Sequence, residues 1–457
     1  MSIYKFSNSK CDDKEYKYKV LVYPNITYLK DLEKDSYVVV IGNIIKELNK
    51  IRDDLYFSII TPAFVNSLNF KNSEQLVIRE FNGQKYFDAY RNYPNSMRMD
   101  FPFREVFNAI KWKDNDYDIV YSHLPEHTGN LKCLLENTTN ISPTIIGGYT
   151  HWTEFKEITN YHYKPGLSYN IVGLLEMIEC GINTQAQKDL VLKNAKEYFN
   201  DDVVSKLDKI LKPQYLGWET PDYEKQTTDK NIIVFNHRPH AYKNYPWFLK
   251  QMDKLWEKRQ DFEVWVPLAE TMDREYITND KYDRKGYFSK LSSCLTGVCA
   301  KQKYAGWAIS ATDGMSVGVP YHFSNDSYYH ELADYAGIYY KDADELNANI
   351  QDLMDISDLR SRWSDKSMRK FKQSKWSTAI NQFNSMFNRA IDNLHILKED
   401  TDSYKKIVDF IHKKKSTTKK EILEHLGWGV RISFSGYRNR LRNEPTIKFT
   451  KNRYEVR

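Results

Sequence analysis

The sequence predicts an α/β fold with two largely parallel sheets, and three observations lead to that prediction. Short apolar runs that end in turn residues alternate with segments of helical pattern, which is typical of parallel α/β architecture. Such runs occur in both halves of the 457-residue chain, and a polar stretch from Gln214 to Lys230 separates the two sets. Because ligands of open α/β folds bind outside the carboxyl ends of the strands, both halves are expected to face one cleft.

The individual strands are predicted from apolar runs that stop at Pro, Gly, Asn or charged residues. In the first half these runs are Lys19–Pro24, Tyr56–Ile60, Asp118–Tyr121 and Thr144–Gly147. In the second half they are Asn231–Phe235, Phe262–Val266 and Val319–Phe323.

Composition and length place the chain among folded proteins of more than one domain. Hydrophobic residues make up 41%, aromatic residues 14% and charged residues 28% of the sequence. No apolar run approaches the ~20 residues that span a bilayer, and the first residues lack the apolar stretch of a signal peptide. The odd number of scattered cysteines favours a reducing, cytoplasmic location. These cysteines are Cys11, Cys133, Cys180, Cys294 and Cys299.

A basic turn follows the apolar run Ile232–Phe235. It carries Arg238 and Lys243, and a helix is predicted to open near Tyr245-Pro246. A guanidinium binds phosphate oxygens as a bidentate fork, an ammonium adds a point charge, and helix N–H groups point at the same anion. The turn therefore predicts a diphosphate pocket. A solvated basic turn has the same spacing and is the alternative interpretation.

A second motif lies about seventy residues downstream. Residues 306–321 predict a short helix, a glycine stop and a following strand. The helix carries Asp313, and the alternative role for this carboxylate is to complement the helix dipole.

Together the two motifs resemble the C-terminal half of GT-B glycosyltransferases. These nucleotide-sugar enzymes have retaining members with an Arg-x4-Lys turn and a later Glu-Ala-Met-Ala-x-Gly-x-Pro helix, which here is Asp313-Gly314-Met315-Ser316-Val317-Gly318-Val319-Pro320. The resemblance covers roughly residues 20–400 and is closer in the second half. It implies two Rossmann-like domains that face one cleft. The implied divisions are an acceptor domain at 1–215, a donor domain at 216–370 and a helix at 371–400 that crosses back to the first domain.

The resemblance also implies roles for the motif residues. Arg238 and Lys243 bind the donor diphosphate and stabilise the charge that develops on it, without a compulsory metal. Asp313 accepts hydrogen bonds from the donor ribose, and Gly314 and Met315 belong to the same donor site. The default donor is a UDP-sugar, which is a co-substrate, so no cofactor is required.

The chain departs from the family pattern beside this site. Ala305 stands where the family often has a second Glu near the donor sugar, and Lys301-Gln302 stands where the family commonly has Pro-Ser. The sugar contacts of this half are therefore expected to differ from those of the family. No Asp-x-Asp suited to a divalent ion stands at the predicted cleft, so no metal site is predicted.

In the first half, three loops bring polar groups to the predicted cleft. The resemblance favours His151, because the family often has a His at the end of the corresponding strand that contacts the donor sugar. Trp152 follows it, where relatives frequently have Asp. His123, Glu126 and His127 are candidates for sugar or acceptor binding, with a hydrogen-bonded structural role as the alternative.

The third loop carries Arg98 and Asp100. Asp100 is the candidate general base if the reaction inverts the anomeric centre, and Arg98 is a candidate cleft residue. A salt-bridged Arg-x-Asp turn is the alternative. The Arg-x4-Lys and acidic-helix pattern favours retention, for which no clear base is needed.

Residues 401–457 form a basic module. They contain nine Lys and six Arg against six acidic residues, a net charge of +9 in a chain whose total is +6. The pattern predicts a helix at 404–414, a cap at 416–418, a second helix at 419–426, a third, basic helix at 432–442, and two strands at 446–449 and 453–456. This order resembles a winged helix-turn-helix. Such a module would present Arg438, Arg440, Arg442, Lys451 and Arg453 to DNA.

A nucleotide-sugar site joined to a DNA-binding module resembles the bacteriophage glucosyl- and arabinosyltransferases that modify 5-hydroxymethylcytosine in DNA. The implied acceptor is double-stranded DNA with a hydroxymethylated pyrimidine, flipped into the cleft, in the host cytoplasm if a phage encodes the chain. Tyr149, Trp152 and Phe101 are candidates to stack on the base. Two alternatives share parts of the pattern. One is a GT-B enzyme for a surface glycan or lipid-linked acceptor, and the other is a non-catalytic DNA-binding protein with a degenerate GT-B body.

Overall fold

The computed structural model divides the chain into two compact units, Met1–Asn388 and Arg389–Arg457. The structure describes residues 17–24, 36–62, 76–81, 100–110, 117–123, 125–137, 143–149, 164–270, 273–302, 307–426, 437, 441, 444–450 and 453–457. Within these ranges, every helix is too short or too polar to cross a membrane.

The first sheet of the larger unit has seven parallel strands in the order β3-β2-β1-β4-β5-β6-β7. The strands are β1 Tyr18–Tyr23, β2 Leu55–Pro62, β3 Leu76–Phe81, β4 Ile119–His123, β5 Thr144–Tyr149, β6 Glu179–Ile182 and β7 Leu211–Pro213. Their helices are Ser36–Ile51, Phe103–Ala109, Thr128–Glu136, Lys164–Leu175, Gln185–Ala195 and Asp201–Ile210. Helices on the faces of a parallel sheet bury both sides, which explains the nearly continuous apolar runs of β1 and β4.

The second sheet has six parallel strands in the order β10-β9-β8-β11-β12-β13. The strands are β8 Asn231–Val234, β9 Phe262–Trp265, β10 Ile277–Thr278, β11 Thr296–Cys299, β12 Tyr321–Ser324 and β13 Gly337–Tyr340. The helices are Tyr245–Trp256, Arg284–Ser292, Ile309–Ser316, Ser327–Ala333, Ala343–Asp355 and Ser357–Ser374. Buried apolar side chains pack around this sheet.

Each sheet has a point where the strand order reverses. In the first sheet the chain runs from β1 outward to β3 and then returns to place β4 on the other side of β1. In the second sheet the same reversal places β11 beside β8. The loops that leave the two central strands diverge at such a point and leave a crevice, which is where open α/β folds bind ligands.

The chain passes between the two sheets twice, and the two passages contact each other. The Trp218 amide donates to the Ser374 carbonyl at 2.7 Å, and the Trp376 amide donates to the Trp218 carbonyl at 3.3 Å. Gly217 has no room for a Cβ, which would lie 2.4 Å from the Trp376 Cα. The 214–230 segment predicted as a polar linker is thus anchored at Trp218, whose side chain is buried.

A long helix, Trp376–Lys414, follows the second passage. Its Phe387 packs against Phe57 of β2 and Tyr121 of β4, with ring centroids 6.1 and 6.3 Å apart. The Arg52 guanidinium donates to Asn384 at 3.0 Å. The start of this helix therefore packs on the first sheet.

The predicted strands all occur, with ends that differ by one to two residues at most positions. In the two parallel sheets, the strands that the sequence did not predict are β3, β6, β7, β10, β11 and β13. Most of these are short. β10 has two residues and β11 is Thr-Gly-Val-Cys, so neither presents an apolar run that would stand out from a loop.

The smaller unit contains the end of the long helix, a helix at Lys419–His425 and a three-stranded antiparallel sheet in the order β14-β16-β15. Its strands are β14 Ser416–Thr418, β15 Ile447–Thr450 and β16 Arg453–Val456. Its core is formed by Ile407, Ile411, Ile422, Leu423, Leu441, Ile447 and Tyr454. The predicted 416–418 cap is also a strand, because its backbone pairs with β16. Arg438, Arg440, Arg442 and Lys451 lie outside the described residues.

A capping box begins the Lys419–His425 helix. The Thr418 hydroxyl accepts from the Glu421 amide, and the Glu421 carboxylate accepts from the Thr418 amide. Thr418→Ala removes one half of this exchange, so we expect a loss of about 1 kcal/mol in the stability of this unit. Urea unfolding followed by far-ultraviolet circular dichroism measures it. Thr446→Ala, at an exposed threonine of the unit that caps no helix, is the control and should cost less.

Candidate functional site

The basic turn leaves the carboxyl end of β8 at the point where the second sheet reverses its strand order. After buried Asn236 and His237, the chain exposes Arg238 and makes a 3-10 turn at Ala241–Lys243. Asn244 then adopts a left-handed conformation with φ 57°, and the Tyr245–Trp256 helix begins with a proline in its first turn. The predicted strand, turn and helix start are confirmed.

Asn236 joins three elements of the second domain at this turn. Its Nδ2 donates to the Tyr287 hydroxyl at 2.9 Å and to the Ser310 carbonyl at 2.7 Å. Its Oδ1 accepts from the Tyr321 hydroxyl at 3.0 Å. A buried amide with these partners fixes the direction in which the chain leaves β8.

His237 is held between two side chains. Its Nδ1 shares a hydrogen bond of 2.6 Å with the Ser310 hydroxyl, and its Nε2 lies 3.0 Å from the Cys299 sulfur. Burial, with a smaller contribution from the Lys243 ammonium, lowers the pKa of His237 to about 3. The imidazole is therefore neutral at physiological pH and serves to hold the turn from which Arg238 emerges.

Lys243 extends toward the end of β11. Its Nζ donates to the Gln302 Oε1 at 2.5 Å and lies 5.2 Å from the centre of the Tyr242 ring. Burial raises the pKa of Tyr242, and the nearby Arg238 opposes that rise. Both cations of the turn thus flank Tyr242 beside the crevice between β8 and β11.

Asp313 lies on the Ile309–Ser316 helix with 6% of its surface exposed. Its two oxygens lie 3.4 Å from the Arg284 guanidinium, and Oδ2 accepts from the Tyr287 hydroxyl at 3.4 Å. Burial raises the pKa of Asp313 to about 6, although Arg284 opposes the rise. Arg284 also donates to Glu219 at 2.5 Å. All three contacts to Asp313 are long, so the carboxylate keeps acceptor capacity for a ligand.

The two sequence motifs meet through Tyr287. Its hydroxyl accepts from Asn236, next to the basic turn, and donates to Asp313 on the downstream helix. One hydrogen-bonded chain therefore links the turn that carries Arg238 and Lys243 to the acidic helix. The arrangement places two cations and a carboxylate at the carboxyl edge of one sheet.

Gly314 and Met315 face the interior of the domain. A Cβ on Gly314 would lie 2.3 Å from Cε2 of Tyr321, and the Met315 side chain is fully buried in the apolar cluster around β12. The predicted helix, glycine stop and strand are confirmed, because Gly318 follows the helix at φ 87° and leads into β12. Any donor contact of Gly314 or Met315 is thereby limited to the backbone.

Gly314→Ala is expected to destabilise the protein by about 3 kcal/mol, since the new methyl group would overlap the Tyr321 ring in a packed core. Thermal and urea unfolding measure the change. Gly129→Ala is the control, because its Cβ would meet one side-chain atom at 3.2 Å. Equal losses in the two variants would show that Tyr321 has space to move.

The first sheet brings a second cluster to its own reversal point. The Tyr23 hydroxyl at the end of β1 hydrogen-bonds the His127 Nδ1 at 2.9 Å. Phe101 packs on both rings, at 5.9 and 5.5 Å. Burial first, then Glu126 and Asp100, raises the pKa of Tyr23 far above its ordinary range.

The predicted first-half residues are distributed around this cluster. His123, Glu126 and His127 are buried, and Asp100 is exposed. His123 shares a long hydrogen bond of 3.3 Å with the Tyr121 hydroxyl. Acceptor or base roles for these residues stay predictions. His151, Arg98 and Trp152 lie outside the described residues.

The sequence did not identify Arg284, Tyr287 or Tyr23, which contact the predicted site residues Asp313 and His127. It also gave no role to His237 or to Gln302, although Gln302 was noted as a departure from the family pattern. No spacing in the sequence predicts the roles of these residues, because they come from a strand end, separate loops and one helix that the sheets bring together. Among the described residues, no group of three or more His, Cys, Asp or Glu could hold a metal ion.

Three solved structures share the architecture of this chain. TarM superposes with a TM-score of 0.58 at 10% identity over 81% of this chain and 99% of its own. HepE from Anabaena, solved with UDP and glucose, gives 0.57 at 10% identity over 81% and 100%. OtsA, a trehalose-6-phosphate synthase, gives 0.58 at 12% identity over 81% and 99%.

This likeness confirms the predicted α/β GT-B fold, with two parallel sheets and their helices. At such low identity it establishes the fold alone. No protein-family model and no curated protein matches the sequence.

Proposed function

We propose that the protein is a GT-B glycosyltransferase that uses a UDP-sugar as donor and needs no cofactor. The observation that carries the proposal is the hydrogen-bonded chain from the basic turn through Tyr287 to Asp313. It joins a turn with two cations that suit a diphosphate to a carboxylate that suits ribose hydroxyls, at the carboxyl edge of one sheet. The two motifs lie far apart in sequence, and a solvated basic turn would have no reason to share a buried network with the acidic helix.

Two observations support the choice of donor: the charges of the site residues, and the ligands bound in solved structures of the same fold. Arg238 and Lys243 match a diphosphate, and Asp313 matches a pair of ribose hydroxyls. HepE was solved with UDP and glucose, and a trehalose-6-phosphate protein of the same fold from E. coli was solved with UDP-2-fluoro glucose. We therefore assign a uridine nucleotide-sugar, with glucose or arabinose as the sugar.

The chemistry that the site supports is substitution at the anomeric carbon. The bond from that carbon to the diphosphate oxygen breaks, and its electron pair stays on the departing UDP. Arg238 and Lys243 stabilise this charge. The acceptor hydroxyl forms the new bond to the anomeric carbon, and in a retaining reaction its proton passes to the departing phosphate oxygen. If the reaction inverts, Asp100 is the candidate to take that proton.

We propose further that the acceptor is a hydroxymethylated pyrimidine in double-stranded DNA. The support is the basic C-terminal module, whose +9 charge exceeds that of the whole chain. In the described part of this module a helix, a strand and a second helix precede a hairpin, with the first strand paired to the last. This arrangement is compatible with a winged helix, and cytoplasmic DNA fits the predicted location.

Arg453 is the DNA-binding candidate that the structure describes. Its Nε donates to the Ser416 hydroxyl at 2.9 Å, and its guanidinium lies 3.8 Å from Glu421. Arg453 is therefore partly engaged in bracing β14 against β16. Its proposed DNA contact would use the remaining donors of the guanidinium.

The test is nucleoside mass spectrometry after incubation with UDP-glucose or UDP-arabinose and duplex DNA, with or without 5-hydroxymethylcytosine. A hexose or pentose increment on the modified nucleoside alone is the expected result. UDP release without any increment on DNA would remove the DNA acceptor and favour the glycan or lipid-linked alternative. DNA binding with neither UDP binding nor UDP release would favour the non-catalytic alternative.

A further inference from the structure

A hydrogen bond to a glutamine holds the Lys243 ammonium at the crevice. Its hydrogen bond to the Gln302 Oε1 connects the turn after β8 to the segment after β11, on the opposite side of the reversal point. A lysine ammonium is a compact charge on a flexible four-carbon chain, so the position of the ammonium depends on the group that it bonds. Gln302 fixes the ammonium through a neutral acceptor, which leaves the positive charge of Lys243 intact.

Gln302 is itself fixed by buried partners. Its Nε2 donates to the Tyr329 hydroxyl at 2.7 Å, and that hydroxyl donates to the Ala300 carbonyl at 3.1 Å. Its backbone amide donates to the Tyr328 hydroxyl at 3.4 Å. Gln302 is 7% exposed and Tyr329 is fully buried. The amide group is thus oriented, with its oxygen toward Lys243 and its nitrogen toward Tyr329.

We propose that Gln302 is a positioning residue for the donor diphosphate, which acts by holding the Lys243 ammonium at the crevice. The inference rests on the proposed function. It assigns a role to one of the positions where the chain departs from the family pattern. A glutamate at this position would form an ion pair and cancel the charge that the diphosphate needs, whereas glutamine fixes the ammonium and leaves its charge available.

A double-mutant cycle with UDP binding as the readout tests this role. UDP affinity is measured by calorimetry for the full chain, for Gln302→Leu, for Lys243→Ala and for the double variant. A hydrogen bond to a charged group supports about a tenfold loss in each single variant. If Gln302 acts through Lys243, adding Gln302→Leu to Lys243→Ala changes the affinity less than about twofold. The same loss in both backgrounds would overturn the inference.

Two further variants separate positioning from folding. Tyr329→Phe removes the partner of the Gln302 amide without touching the crevice, and a smaller loss of UDP affinity that again vanishes with Lys243→Ala is expected. Gln251→Leu removes another buried glutamine of the same domain, which bonds the Trp247 carbonyl at 3.2 Å, and should leave UDP affinity unchanged. If Lys243→Ala itself leaves UDP affinity unchanged, the proposed diphosphate clamp fails. If it weakens UDP but the cycle is additive, the inference alone fails.

Discussion

Lys243→Ala will lower the rate of sugar transfer about a hundredfold or more and leave the protein folded. The ammonium lies at the crevice between β8 and β11, on the same turn as Arg238, where the proposed reaction would develop charge on the departing UDP. A fixed cation aimed at such charge contributes about two to three orders of magnitude in kcat. The measurement is kcat and KM for UDP release with UDP-glucose and a competent acceptor.

Lys250→Ala is the matched control. Lys250 lies on the Tyr245–Trp256 helix that follows the same turn, and its side chain is exposed. It should have the activity of the unchanged protein. Similar kcat values for the two variants would place the diphosphate elsewhere.

Arg238→Lys tests the geometry of the second cation. It keeps the positive charge but loses the bidentate fork of the guanidinium, so it should raise the KM for the donor.

Much of this site was predictable because its motifs are local. The run Asn231–Phe235 is apolar over its interior, and Pro246 stands where a first helical turn tolerates it, so β8 and the helix start follow from the sequence. Gly318 predicted the end of the acidic helix, and its φ of 87° explains why glycine is there. In each case the determining residues lie within one element or one turn.

The contacts that complete the site were not predictable from such local signals. Tyr287 comes from a helix whose sequence has no clear apolar face, and Gln302 follows β11, a four-residue strand that contains a glycine. What unites them is the strand order, which places β11 beside β8 although more than sixty residues separate them. A single sequence carries no direct mark of that adjacency.

In the smaller unit, too, some elements were predictable from local sequence and others were not. The Lys419–His425 helix was predicted from its cap and from Gly427 after it, and the two C-terminal strands were predicted on either side of a turn near Lys451-Asn452. β14 was missed as a strand, because Ser-Thr-Thr also fits a helix cap. Thr418 does both, since its side chain caps the helix while its backbone pairs with Arg453.

The proposed donor contact of Asp313 comes with a cost to stability. Burial raises its pKa from about 3.8 to about 6, so at neutral pH the fold carries an ionised carboxylate that it would hold better in the protonated form. The protonated carboxyl therefore stabilises the fold relative to the ionised carboxylate. This stabilisation is fully present below pH 4 and is lost as the pH rises through 6. Arg284 offsets part of the cost, but it also pairs with Glu219 and keeps that partner without Asp313.

Asp313→Asn is consequently expected to make the protein more stable and less active. Above pH 6 the gain in the free energy of unfolding is about 2 kcal/mol, and it shrinks toward zero near pH 4, where the carboxylate is protonated in the unchanged protein. An asparagine keeps one acceptor oxygen, so UDP-sugar affinity should fall about tenfold at pH 7. The unchanged protein should itself lose donor affinity as the pH drops below 6, and the variant should not.

Urea unfolding and UDP calorimetry between pH 4 and pH 8 measure both effects. Asp229→Asn, at an exposed aspartate just before β8, is the control and should alter neither quantity. A variant that is stabilised above pH 6 but binds UDP as well as the unchanged protein would show that Asp313 is buried for packing alone. A variant destabilised at pH 7 would show instead that Arg284 more than offsets the burial of the carboxylate. Opposite signs for stability and affinity are the signature of a carboxylate kept in the core to bind a ligand, since a purely structural residue has no reason to carry that cost.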